Sequence, residues 1–200
     1  MSINVCNDRS MASITSLPSG VSGGSLVLLS TTTASSSATV DITSDIDSTY
    51  KEYQVHYTDC HPATDSAHLQ INFRDGGSDF DATKTTTVFR AYHQEDDGQA
   101  VLGYSTGEDL AQSTSNQQIL NDVGADNDQS CTGIVKLFDP SNTTFVKHFM
   151  IESQGLQSVN TSKHSFIAGY CNTTTAIDGI RFQYSSGNID AGTFKLYGVV

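Results

Sequence analysis

The sequence predicts an all-β protein: an antiparallel β-sandwich of jelly-roll type with an extended N-terminal arm. Three observations predict it. Stretches of apolar–polar alternation recur along the chain, the pattern of strands with one buried face. Turn signals separate them at near-regular spacing, as in sandwiches and jelly rolls. Ser and Thr make up roughly a quarter of the residues, well above ordinary usage, and Asp outnumbers Glu by 18 to 4 although Glu is the better helix former. A parallel βαβ fold needs a helical segment between successive strands, and most gaps have none. No period of the length that marks a solenoid or propeller is present.

Residues 1–24 read as an arm. Their apolar residues are isolated, and Ser16-Leu17-Pro18-Ser19-Gly20 and Ser22-Gly23-Gly24 are breaker clusters. Such a segment cannot bury enough of itself to fold alone. It is either a flexible terminus or an arm laid across a neighbouring subunit. Residues 25–200 form one domain. Ser25–Thr33 and Ala38–Thr43 suit the first two strands. In Glu52–Asp59, Tyr53, Val55 and Tyr57 alternate with polar residues, and in Ala67–Arg74 Leu69, Ile71 and Phe73 do the same. Asp75-Gly76-Gly77-Ser78 is a turn, followed by a Thr-rich strand over Thr85–Tyr92. Residues 99–128 are the least regular, and a short helix is expected within Glu108–Val123. A long connection of this kind is often functional or interfacial. Strands resume at Cys131–Phe138, whose two faces both carry apolar residues, and at Phe145–Ser153, Ser165–Cys171, Gly179–Ser185 and Thr193–Val199. About ten strands result.

The formal charge of −12 comes from 22 acidic against 10 basic residues. That argues against a direct grip on nucleic acid, which needs clustered Lys and Arg, and against attraction to an anionic membrane. The longest apolar run is Leu26-Val27-Leu28-Leu29, far short of a spanning helix. Residues 1–24 lack the apolar core of a secretory signal. The scattered Cys6, Cys60, Cys131 and Cys171 are therefore expected to be free thiols of a reducing cytosol, mostly small buried side chains.

The chemistry is sparse. No phosphate-binding loop, dinucleotide fingerprint, nucleophile elbow or H-E-x-x-H is present. The densest metal-capable cluster is His56, Asp59, Cys60, His61, Asp65 and His68, without a recognised zinc spacing. His56 and His68 lie on polar faces of two strands expected to be adjacent. The plainer reading is separate hydrogen-bonding histidines. Asp75, Asp79 and Asp81, and Asp122, Asp126 and Asp128, offer carboxylates for calcium, but neither set matches a calcium loop. Asp is also an ordinary turn residue. Asn142, Asn160 and Asn172 begin glycosylation-type triplets and are read as turn residues. No catalytic, cofactor-binding or metal-ligating residue is expected, and no cofactor.

One resemblance stands out. The run Ala176–Gly198, including Ile180-Arg181-Phe182-Gln183-Tyr184 and Phe194-Lys195-Leu196-Tyr197-Gly198, resembles the closing hairpin of virion structural proteins from tailed bacteriophages, especially phages of aquatic bacteria. Gly24-Ser25-Leu26-Val27-Leu28-Leu29, Ile46–Tyr53 and Phe138-Asp139-Pro140-Ser141-Asn142-Thr143-Thr144 look like the same group. The resemblance spans about residues 24–199 and leaves the arm uncovered. It implies a small, non-enzymatic β-sandwich protein of the virion, assembled in the host cytoplasm. A capsid decoration or cement protein on the outside of the head shell is expected first. Its expected partners are the major capsid protein or other virion proteins, with a homotrimer as the first guess. Residues 1–24 and 99–128 are the expected contacts. The alternative is a tail-associated or fibre-like module that binds a host-surface glycan, with Tyr residues and the acidic loops forming the site, with or without calcium.

Overall fold

A computed structural model describes residues 25–200. The expected arm, 1–24, lies outside the described residues. The domain contains β1 (Leu26–Ser37), β2 (Val40–Ile42), β3 (Glu52–Pro62), β4 (Ala67–Arg74), β5 (Lys84–Gln94) and β6 (Ala100–Tyr104). It continues with β7 (Gln117–Val123), β8 (Cys131–Phe138), β9 (Lys147–Gln157), β10 (Thr161–Cys171), β11 (Gly179–Tyr184) and β12 (Ile189–Val199). Among the described residues there is no helix, and every strand pairing is antiparallel.

The pairing falls into two tracts. The long one runs β1-β12-β3-β8-β9 and continues through β10 and β5 to β6. The short one runs β7-β4-β11-β2. They join at one bridge, Val123 to Gln157, between β7 and β9. At the opposite side β1 and β2 touch, with only Ala38 and Thr39 between them in the chain. The sheet is thus an antiparallel one nearly closed into a barrel. The pairs β1/β2, β3/β4, β7/β8 and β11/β12 each place one strand in each tract, whereas β5, β6, β9 and β10 extend the long tract beyond β8.

Alternation decides which residues face inward. Tyr53, Val55 and Tyr57 of β3, Leu69, Ile71 and Phe73 of β4, and Phe194 and Leu196 of β12 are all buried. Tyr57, Phe182 and Phe194 form an aromatic cluster, with Phe182 and Phe194 centroids 4.9 Å apart. Burying each such side chain contributes ~1.5–3 kcal/mol. In β8 only one face is covered: Val135 and Leu137 are buried, Ile134 and Phe138 half-buried. Phe145 lies in the turn before β9 and is exposed, so the buried row there is Lys147, Phe149 and Ile151.

The expected helix within 108–123 is absent. Residues 100–104 form β6, residues 117–123 form β7, and the segment between them follows the open edge of β5. Ser105 N donates to Val88 O at 2.9 Å, Thr86 N to Leu110 O at 2.9 Å, and Lys84 and Ser113 exchange both backbone bonds. An unpaired strand edge offered this backbone better partners than a helix would. Ser113, Thr114, Ser115 and Asn116 also disfavour a helix interior, because their side chains compete for backbone hydrogen bonds.

Candidate functional site

The strands of His56 and His68, expected to be adjacent, are not neighbours, and the two histidines are kept apart. β3 lies between β12 and β8, whereas β4 lies between β7 and β11, so the strands of His56 and His68 belong to different tracts. His56 Nε2 bonds Gln54 Oε1 at 3.1 Å, and burial, helped by Lys136, lowers its pKa. His61 Nδ1 bonds the Gln129 carbonyl oxygen at 2.7 Å. His68 Nδ1 accepts the Asp122 backbone N–H at 3.0 Å, which requires a lone pair on that nitrogen. Among the described residues no three His, Cys, Asp or Glu side chains converge as metal ligands, and this covers both aspartate triplets. Asn142 caps a turn, its Oδ1 accepting from Thr144 N and Phe145 N at 2.7 and 2.8 Å. Asn160 takes a positive φ of 51° in the β9–β10 turn. Cys60, Cys131 and Cys171 are buried free thiols, and burial pushes Cys171 up to about 12. Cys6 lies outside the described residues.

Two other regions carry more chemistry. The first is the outer face of the extension. Register places Tyr104 of β6 opposite Phe89 of β5, and Phe89 opposite Phe166 of β10. The Phe89 and Phe166 rings stack at 4.8 Å, and His164 stacks on Phe166 at 4.2 Å. Leu102 is 75% exposed, and Tyr104, Phe89 and Met150 are each about half exposed. A shallow groove of ≈ 300 Å³ follows, lined by His56, Ile134, Glu152, Gln154 and His164. His164 Nε2 in that region is buried without a partner. Among the described residues nothing pairs with the outer edge of β6 or of β1, and neither strand carries a charge or a proline. Uncharged open edges are the ones prone to add a further strand.

The second region lies on the inner side of the same extension. Lys163 of β10 is 1% exposed and Glu108 8%. Lys163 Nζ donates to Glu108 Oε1 at 3.1 Å and to Asn121 Oδ1 of β7, while Arg90 Nη1 donates to the same Glu108 oxygen at 2.6 Å. Gln117 fixes the loop by donating from Nε2 to the Glu108 carbonyl oxygen at 2.8 Å. Burial lowers the pKa of Lys163, Glu108 opposes that shift, and Arg90 adds to it. Further along, Lys84, Cys171 and Lys147 occupy one inward row across β5, β10 and β9. Lys84 Nζ donates to the carbonyl oxygens of Ala82 and Ser115, both at 2.9 Å.

In the sequence Glu108 is one of four scattered glutamates and stands at the start of the expected helix, and neither Lys84 nor Lys163 stands out. The signal was thin: period-2 alternation in 161–171 places Lys163 in the same phase as Ile167, the inward one. These features define an all-β protein with an open apolar sheet face and a buried ionic cluster. No protein-family model, curated protein or solved structure matches the chain.

Proposed function

We propose that this chain is a non-enzymatic structural protein of a tailed-phage virion, a decoration or cement protein on the outside of the head shell. The observation that carries the reading is the strand order. The order β1-β12-β3-β8 in the long tract and β2-β11-β4-β7 in the short one, with β1/β2, β3/β4, β7/β8 and β11/β12 each split between tracts, supports reading the nearly closed sheet as a jelly roll. Jelly rolls recur in viral capsid and lectin domains. The sequence resemblance in 176–198 points to the same class. The uncharged edges of β1 and β6 and the apolar outer face of β5, β6, β9 and β10 suit assembly with coat subunits or with copies of the chain, a trimer first. Its mechanism is area burial that bridges neighbouring subunits. The net charge of −12 keeps such a surface protein off packaged DNA.

Cryo-electron microscopy of whole particles tests this: density for the domain on the outer shell is expected. Its presence only at the tail, or its absence from particles, rejects the reading. The second reading, a tail-associated module for a host glycan, draws on the groove at His56, Glu152 and His164, which mixes an apolar wall with hydrogen-bonding groups. Saturable binding of the purified domain on a glycan array favours it.

A further inference from the structure

The Glu108 cluster holds a charge imbalance. Two cations, Lys163 and Arg90, share one buried carboxylate. Taking an ammonium out of water is costly unless it is fully paired. Lys163 is nearly dry, and its second hydrogen-bond partner is not an acid but the carboxamide of Asn121. Converting the lysine into an amide removes the imbalance permanently.

We propose that Lys163 and Asn121 join in an intramolecular isopeptide bond, with Glu108 as the proton carrier. Each part of the reaction has its group in place. Glu108, in hydrogen-bond contact with Lys163 Nζ, takes one proton and leaves a neutral amine. Burial already biases Lys163 toward that form. The amine lies against Asn121 Oδ1, which brings the carboxamide carbon within reach of the Nζ lone pair. Gln157 Nε2 donates to Asn121 Oδ1 at 3.2 Å, so a donor awaits the charge that develops on that oxygen.

Nζ attacks the carboxamide carbon and forms the new C–N bond. The tetrahedral species then breaks its bond to Nδ2. One proton passes from Nζ to the leaving nitrogen, and the proton held by Glu108 follows it. Ammonium departs, Glu108 returns to its starting form, and neither oxidant nor reductant is consumed. The product ties β7 of the short tract to β10 of the long one across 42 positions of sequence.

Intact mass spectrometry of the full chain, unfolded and reduced, tests this. The expected mass is one ammonia below that of the sequence, with or without the first Met. Proteolysis should yield a branched peptide joining the segments that contain Asn121 and Lys163. Asn121→Ala, Lys163→Arg and Glu108→Gln should each restore the unreacted mass. Wild-type protein at the unreacted mass overturns the proposal even without the variants. So does an ammonia loss that maps to any other residue, such as an asparagine cyclised on its own backbone.

Discussion

The inward faces of the two halves of the long tract are filled in different ways. Under β12, β3 and β8 the filling is apolar: Leu196, Phe194, Tyr53, Val55, Tyr57, Val135 and Leu137, with Ile71, Phe73 and Phe182 of the short tract. Under β9, β10 and β5 the filling includes Lys84, Lys147, Lys163, Ser153, Ser165, Thr86 and Thr161, with Gln117 and Glu108 from neighbouring segments. The first half is held by area removed from water. The second depends on each buried charge having a partner, because a buried charge without one is strongly destabilising. A sheet can therefore extend past its apolar core, provided a loop follows to supply hydrogen bonds. Residues 105–116 do this, donating to and accepting from β5 along its remaining edge.

The largest expected effect comes from removing the acid in the polar half. Glu108→Ala leaves Arg90 and Lys163 without their carboxylate and should cost ~3–5 kcal/mol. If the Lys163–Asn121 bond forms, the same variant also loses a cross-link whose loop-closure value is ~4 kcal/mol. Urea unfolding followed by tyrosine fluorescence measures the sum. A loss below ~1 kcal/mol, the scale of a surface ion pair, would break the comparison by showing that the cluster is effectively solvated.

Phe182→Ala probes the apolar half. Phe182 is fully buried between Tyr57 and Phe194. The cavity left behind should cost ~3–5 kcal/mol in the same assay. Unlike Glu108→Ala, it should leave the mass of the protein otherwise unchanged. Together the two variants separate loss of packing from loss of pairing.

The two halves also differed in how well the sequence announced them. Ala67–Arg74 was readable to the residue because Leu69, Ile71 and Phe73 alternate with polar neighbours. The core of β3 was equally plain. The polar half was not, because alternation signals burial only when the buried residues are apolar. Lys84 stands in a run of threonines, and Lys163 among Ser and His, so neither marks an inward face. β6 and β7 were lost for related reasons: β6 exposes nearly all of its residues and so shows no one-sided alternation, and β7 pairs with β4, a partner remote in sequence. The Glu108 cluster unites residues at positions 90, 108, 121 and 163, and no local pattern connects them. Likewise the last strand begins before the expected Thr193: Ala191-Gly192 lies inside β12, where Gly192 takes a φ of 154° at an irregularity in the pairing.

A smaller effect sharpens the polar side. Burial pushes the Lys84 ammonium from 10.5 down to about 8, with Cys171, Asp81 and Asp75 opposing the shift. Between those two values the unfolded chain binds more protons than the folded one, so raising the pH favours folding through this group. Lys84→Met removes the titration at similar side-chain length. The stability of wild type relative to Lys84→Met should therefore rise from pH 8 toward 10.5 and be level below 8. A flat difference throughout would show that Lys84 keeps an ordinary affinity for its proton, and that its two carbonyl partners fully compensate for burial.

The smallest effect on stability is expected on the outside of the same extension. Leu102 projects from β6, opposite Ala91, and is 75% exposed. Leu102→Ser deletes apolar surface that contributes little to the core, so unfolding should shift by no more than ~0.5 kcal/mol. Association should respond quite differently. An apolar side chain on an uncharged open edge gains by being covered, and fully burying it is worth ~1.5–3 kcal/mol at each contact. If this face meets a coat subunit or another copy, Leu102→Ser protein should fold normally yet occupy particles at reduced level when mixed with undecorated shells. Equal occupancy by both forms would move the interface away from β6. The edge of β1, which is equally free of charge, would then be the surface to test with Leu28→Ser, since Leu28 is 52% exposed.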